Sequence, residues 1–76
     1  MDYEKLGLFL CGIRQQRKLS RTAFARQLTI PASTYRRAEQ GKGPLTLSEM
    51  RAICDSLQLS IDNIDEELSK IQTPGA

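Results

Sequence analysis

The chain has 76 residues, of which 39% are hydrophobic and 26% charged, a composition typical of one small folded domain and not of a disordered segment. It has no histidine and only two cysteines, so it lacks the commonest general base and the ligands of a structural zinc site. We therefore expect no enzymatic activity, no cofactor and no metal. The sequence shows neither a membrane-spanning apolar stretch nor a secretion signal, which favours a cytoplasmic protein.

The charge is distributed unevenly along the chain. Residues 1–13 sum to −1, residues 14–42 to +7 and residues 43–76 to −4, although the net charge is only +2. A basic segment of this kind is the usual footprint of a polyanion partner, because neutralising phosphates releases counterions. A solvated basic face that binds nothing accounts for the charge equally well at this point.

The spacing of apolar residues predicts five short helices and no strand, an all-α domain over residues 1–72. The expected helices cover residues 3–18, 21–28, 32–40, 47–58 and 61–70, and residues 73–76 are expected to form a frayed tail. The expected N-caps are Asp2, Ser20, Thr46 and Ser60. Thr46 and Glu49 have the spacing of a capping box, and Gly41 suits the left-handed position after the third helix.

The last two expected helices each have one apolar face. In the fourth helix this stripe consists of Leu47, Met50, Ile53, Cys54 and Leu57. In the fifth it consists of Ile61, Ile64, Leu68 and Ile71. Stripes with this spacing are expected to face the core.

The second and third expected helices are separated by only three residues, Thr29-Ile30-Pro31. Pro31 cannot continue the preceding helix, and it restricts Ile30 to extended conformations. Two short helices joined so tightly cross steeply, and helix-turn-helix is the usual outcome. The spacing alone is a weak signal, because many helical domains contain such a corner.

Residues 6–64 resemble the Cro and phage-repressor (XRE) type helix-turn-helix family. The matching residues are Leu6-Gly7, Leu10, Ile13-Arg14, Arg17, Leu19-Ser20, Phe24-Ala25, Leu28, Ser33-Thr34-Tyr35, Glu39-Gln40-Gly41-Lys42, Leu57 and Leu59-Ser60-Ile61. The resemblance implies a lambda-repressor-like fold of five α-helices that binds operator DNA, usually as a two-fold dimer. It also implies a bacterial or phage-type protein associated with the nucleoid.

The resemblance places the third helix in the major groove, with its N-terminal side chains facing the bases. The base-reading residues that it implies are Ala32, Ser33, Arg36 and Arg37. The phosphate-contacting residues are Ser20, Arg21, Thr22, Arg26, Lys42 and Gly43. The chemistry fits, since arginine can bind guanine through two hydrogen bonds. For Arg26, Arg36 and Arg37, exposure on a solvated helix face is the alternative.

Arg14 and Glu39 have a separate role in the family, as a partly buried ion pair that links the first and third helices. Glu39 is the only acid within the basic segment of residues 14–42. Removing one partner of such a pair leaves the other charge unpaired. A direct contact of Arg14 with a phosphate is the alternative.

Two residues depart from the family pattern. Thr29 stands where the family usually has glycine, and a β-branched residue disfavours positive φ, so the turn is either strained or built differently. Pro31 stands at the capping position of the third helix and has no side-chain acceptor. Ser33 or Thr34 is therefore expected to help to cap that helix.

The predicted function is sequence-specific binding of double-stranded DNA by a transcriptional regulator, a repressor that acts by operator occupancy. The candidates for a dimer contact are Leu59, Ile61, Ile64 and Leu68. A protein-interaction module of antitoxin or adaptor type is the alternative, with Leu8 and Phe9 as its contact surface. These two apolar residues can also be ordinary scattered surface hydrophobics.

Overall fold

A computed structural model describes residues 2–71, which form five α-helices and no strand. The helices are α1 (Tyr3–Gln16), α2 (Arg21–Leu28), α3 (Ala32–Glu39), α4 (Leu47–Ser56) and α5 (Ile64–Ser69). The predicted all-α class is confirmed, and the helices follow the predicted order. The tail expected over residues 73–76 lies outside the described residues.

Side-chain caps define the starts of α1, α2 and α4. The Asp2 carboxylate and the Ser20 hydroxyl each accept a backbone N–H from the first turn of their helix at 3.1 Å. Thr46 and Glu49 make both bonds of the capping box, at 3.1 and 2.8 Å. These caps satisfy N–H groups that have no partner within the helix, so the sequence located these three helix starts correctly.

Three helix ends differ from the sequence expectation by two residues or more. Helices α1 and α4 stop earlier because Lys18 and Gln58 have φ values of 57° and 58°, a left-handed backbone that ends a helix. Ser60 does not cap α5: its hydroxyl and its carbonyl accept bonds from Asp62 and Asn63 at 3.2 and 3.0 Å, which form a separate turn. Helix α5 therefore begins only at Ile64.

All five helices contribute to one core. Its largest fully buried side chains are Tyr35, Phe24, Leu6, Leu10, Leu28, Ile53, Ile64, Leu68 and Cys54. The rings of Phe24 and Tyr35 join α2 to α3 edge to face, with centroids 5.4 Å apart. The expectation that Leu47 faces the core is wrong, because this first residue of α4 lies one turn ahead of the buried part of the stripe and is 62% exposed.

Helix α1 contacts the end of α3 at Gly7, and this contact brings the first and third helices together. A Cβ atom at Gly7 would lie 2.5 Å from the carbonyl oxygen of Glu39 and 2.8 Å from that of Ala38. By contrast, a Cβ at Gly12, in the same helix, would have no neighbour within 4 Å among the described residues. Only the first glycine is therefore required by the packing.

We expect Gly7→Ala to lower the free energy of unfolding by about 1–3 kcal/mol, because α3 must move away from α1 to admit the methyl group. The helix propensity of alanine works in the opposite direction by at most about 1 kcal/mol. Urea denaturation at neutral pH measures the change.

Gly12→Ala is the matched control in the same helix. With open space around the new methyl group, it should raise the free energy of unfolding by about 0.5–1 kcal/mol. A similar response of the two variants would contradict the steric role of Gly7.

Candidate nucleic-acid interface

The turn between α2 and α3 keeps a left-handed residue although that residue is not glycine. Thr29 has φ 61° and ψ 35°. The backbone N–H of Ile30 donates to the carbonyl of Ala25 at 3.1 Å, as in a Schellman-type helix end. The Thr29 hydroxyl donates to the carbonyl of Leu28 at 2.6 Å. Of the two alternatives, the structure has the strained turn, in the conformation that glycine adopts without strain.

Helix α3 begins without a side-chain cap. Pro31 occupies the N-cap position with φ −61°, and no side chain within residues 2–71 makes a capping hydrogen bond to the helix. The expected help from Ser33 or Thr34 does not occur. Thr34 is buried, and its hydroxyl donates to Glu49 Oε2 of the α4 capping box at 3.5 Å. Its side chain thus joins α3 to α4.

We expect Thr29→Gly to raise the free energy of unfolding by about 1 kcal/mol, because glycine adopts positive φ without a Cβ clash. Thermal or urea denaturation checks this. Thr29→Ala is the control, since it removes the hydroxyl and keeps the Cβ atom. Equal gains from the two substitutions would show that the Cβ atom is not the source of strain.

The residues that the sequence assigned to base reading occupy the outer face of α3. Ser33, Arg36 and Arg37 are exposed, and Ala32 is half-buried at the helix start. The opposite face, formed by Thr34, Tyr35 and Ala38, is buried in the core. The burial of that face fixes the helix, so the exposed side chains are presented outward together.

The start of α2 and the outer part of α3 border one open cleft. The cleft is lined by Arg21, Thr22, Arg36, Glu39 and Gln40. It thus brings two of the residues predicted to contact phosphate beside one predicted to read bases. The backbone N–H groups at the first positions of a helix have no intrahelical acceptor, and they give this end of α2 a positive potential.

The remaining predicted phosphate contacts lie outside this cleft lining. Arg26 and Lys42 are exposed, and so is Ser20, whose hydroxyl accepts the backbone N–H of Ala23. Gly43 is half-buried and packs against the ring of Tyr3, so that a Cβ atom there would collide with the ring. Tyr3 also accepts the backbone N–H of Leu45 at 3.3 Å. The glycine therefore has a packing role in the loop after α3, which the sequence did not indicate.

Glu39 binds two arginines at once. Its Oε2 accepts from Arg14 Nε at 3.0 Å, and its Oε1 accepts from Arg14 Nη2 at 3.3 Å and from Arg21 Nε at 2.9 Å. The Glu39 and Arg14 side chains are 7% and 14% exposed, whereas that of Arg21 is 56% exposed. The Arg21 contact joins α2 to the ion pair of α1 and α3, and the sequence did not predict it.

The donors around Glu39 keep it ionised. Burial by itself would raise the pKa of Glu39, but the neighbouring Tyr35 hydroxyl and the Arg14 and Arg21 guanidinium groups outweigh it and hold the pKa below its usual value. The carboxylate therefore remains charged at neutral pH. It is an acid at the edge of a basic surface, with its charge compensated by two arginines.

Arg14 has little capacity left for a phosphate. Besides its bonds to Glu39, it donates from Nη1 to the carbonyl of Leu19 at 3.0 Å. The hydrogen bond to Glu39 outweighs burial and raises the pKa of Arg14. Its guanidinium thus connects α1, the segment before α2, and α3, which favours a structural role over the alternative of direct DNA contact.

Tyr35 is part of the same buried region, and the sequence did not single it out. Burial, together with the neighbouring Glu39 carboxylate, raises the pKa of the Tyr35 hydroxyl. The hydroxyl is fully buried and makes no hydrogen bond of standard geometry among the described residues. The hydroxyl lies close enough to the Glu39 carboxylate to lower the pKa of Glu39, although the two groups do not form a hydrogen bond of standard geometry.

Arg17, also in the basic segment, has its own partners within the protein. Its guanidinium lies 5.6 Å from the centre of the Phe24 ring, and its Nη1 donates to Gln27 at 3.2 Å. The side chain thereby links the end of α1 to Phe24 and Gln27 of α2. Part of the +7 charge is therefore engaged within the protein.

We expect Arg14→Ala to lower the free energy of unfolding at pH 7 by about 2 kcal/mol, because it removes charge-assisted bonds in a nearly buried site. The loss is smaller than that of a fully unpaired charge, since Arg21 still binds Glu39. The lowered pKa of Glu39 stabilises the fold above its usual value of 4.5, and this stability is lost as the pH falls through the lowered pKa. The difference between wild type and variant should therefore shrink in acid, as measured by urea denaturation at several pH values.

Arg21→Ala is the control for this prediction. Because its side chain is largely exposed, its loss should change stability by less than about 1 kcal/mol. A larger loss of stability in Arg21→Ala than in Arg14→Ala would contradict this prediction, because the structural role would then belong to Arg21.

The structure restricts the candidate protein contacts. Two of the proposed dimer residues, Ile64 and Leu68, are each 2% exposed and belong to the core, so they cannot also contact a second copy. Leu59 and Ile61 are half-buried against the core. The alternative surface is a shallow groove lined by Leu8, Phe9, Gly12, Ile13, Gln16 and Ile71.

Comparison with known proteins identifies one family. Residues 5–66 match the family described as the helix-turn-helix domain, a range that begins in α1 and ends in α5. No curated protein and no solved structure matches the chain. Within residues 2–71, no group of three or more Cys, Asp and Glu side chains is arranged to hold a metal ion. None of the helices described there is both long and apolar enough to cross a membrane.

Proposed function

Because the chain belongs to the helix-turn-helix domain family, a fold that supports DNA binding, we propose that it is a sequence-specific regulator of transcription. The observation that carries the proposal is the single surface formed by the exposed side of α3 and the start of α2. This surface combines side chains that can read bases with groups that can bind phosphates. We propose that the protein occupies a double-stranded operator and thereby represses transcription.

Helix α3 is the proposed recognition helix. It has eight residues and is therefore roughly 12 Å long, a length suited to one passage through the major groove. Arg36 and Arg37 can each bind guanine O6 and N7, Ser33 can contact several bases, and the methyl group of Ala32 can pack on thymine. The buried inner face of α3 fixes the helix, so these residues lie on its exposed side.

The start of α2 is the proposed phosphate clamp. Arg21 and Thr22 lie where the free N–H groups and the positive end of the helix dipole favour an anion. Arg26 and Lys42 are exposed and supply further positive charge. Such contacts fix the register of the protein on the duplex without reading its sequence.

A homodimer follows from the short recognition element, because one eight-residue helix reads too few bases for operator-level specificity. Two copies would bind half-sites about one DNA turn apart, or ~34 Å. Leu59 and Ile61 remain candidates for this contact, since both retain exposed surface. A protein-interaction module is the second candidate function, supported by the apolar groove that includes Leu8 and Phe9.

The test begins with selection of bound duplexes from a random pool, which tests binding, specificity and half-site symmetry together. On the selected operator, Arg37→Ala should weaken binding by about 1–3 kcal/mol and relax the preference at one base position. Fluorescence anisotropy on operator variants measures both effects. Arg51→Ala, which changes an exposed arginine of α4 outside the basic segment, is the matched control and should bind like the wild type.

The salt dependence of wild-type binding tests the proposal as a whole. The logarithm of the association constant should fall linearly with the logarithm of salt concentration, with a slope near −0.9 for each phosphate neutralised. A flat response, or no duplex enriched by the selection, would overturn DNA binding and favour the protein-interaction module.

A further inference from the structure

Glu39 is an acid on the surface that we assign to a polyanion. It lines the cleft between α2 and α3 beside Arg21, Thr22 and Arg36. An uncompensated carboxylate at this place would repel phosphates. The geometry of its contacts suggests a different effect on binding.

The contact between Glu39 and Arg21 uses only one edge of the arginine. Oε1 accepts from Nε at 2.9 Å, while Nη1 and Nη2 of Arg21 make no hydrogen bond to another described residue. The side chain is 56% exposed at the start of α2. One part of the guanidinium is thus held by the protein, and the two terminal nitrogens remain available to an external acceptor.

We propose that Glu39 is a positioning residue for DNA binding, which fixes the guanidinium of Arg21 so that its terminal nitrogens bind a backbone phosphate at the start of α2. The inference rests on the proposed function and adds a residue to it that touches no DNA. Arg14 anchors the carboxylate from the other side, at 3.0 Å.

The physical basis is preorganisation. A free arginine side chain loses rotamer entropy when it is immobilised, and a side chain already held by Glu39 loses less of it on binding. The carboxylate does not act as a bare negative charge, because it is 7% exposed and shared by two guanidinium groups. The three side chains together carry a net charge of +1.

The planar fork of arginine is required for this arrangement. It offers donors to two acceptors on different edges, whereas the single ammonium group of lysine is a point charge. Arg21→Lys therefore keeps the charge and removes the geometry. It also leaves the ion pair between Arg14 and Glu39 intact.

A double-mutant cycle on the selected operator tests the proposal with wild type, Glu39→Gln, Arg21→Ala and the double variant. Glu39→Gln should weaken binding about three- to tenfold in the wild-type background and less than about twofold in the Arg21→Ala background. Where the unpositioned Arg21 no longer reaches its phosphate, the magnitude of the salt slope also falls, by at most about 0.9. A purely structural role of Glu39 would not produce this change in slope.

Two outcomes overturn the inference. Stronger binding by Glu39→Gln would show that the carboxylate acts only as a repelling charge. Equal weakening in both backgrounds would show that it acts through the fold and Arg14. In either case the wild type still binds its operator with a steep salt dependence, so the proposed function stands. If the wild type binds no duplex, the proposed function itself is overturned.

The Arg21→Lys variant decides the matter if urea denaturation shows that Glu39→Gln is not folded. Weakening close to that of Arg21→Ala supports the positioning of a guanidinium. Affinity equal to that of the wild type overturns it, because charge alone would then suffice. Arg51→Ala serves again as the control for the loss of one exposed positive charge.

Discussion

The position of α3 depends on two interactions with its C-terminal end. The backbone of α1 approaches the carbonyl groups of Ala38 and Glu39 so closely that only glycine fits at position 7. The Glu39 side chain then binds Arg14 of α1 and Arg21 of α2. Packing and charge thus fix the same residue, Glu39, which borders the proposed DNA surface.

The start of α3 is held by the backbone rather than by a cap. Thr29 takes the left-handed conformation, and Pro31 presets the entry to the helix with φ −61°. Both residues narrow the conformations open to the turn, and the Phe24–Tyr35 contact secures the helices on either side of it. The local strain at Thr29 is tolerated because the buried rings of Phe24 and Tyr35 already hold α2 and α3 in their crossed arrangement.

The charge of the domain is separated along the fold as well as along the sequence. The exposed arginines of α2 and α3 lie in the basic segment, whereas the first turn of α5 carries Asp65, Glu66 and Glu67. Acids at that position complement the helix dipole, so they have a structural reason to be there. Glu39 is the exception within the basic segment, and its two arginine partners explain how the surface accommodates it.

Periodicity and capping depend on neighbouring residues, and they predicted the five helices and three of the caps correctly. The outward position of Ser33, Arg36 and Arg37 on α3 was implied only by the family resemblance. The sequence did not determine the start of α5, where Ser60 makes a turn instead of a cap. The stripe of α5 predicted that Ile64 and Leu68 face the core, but it did not exclude them as dimer contacts. Nor did the stripe of α4 reveal the exposure of Leu47, since a stripe does not say which of its residues another helix covers. The bond between Arg21 and Glu39 joins residues 18 positions apart, and only the packing of three helices brings them together.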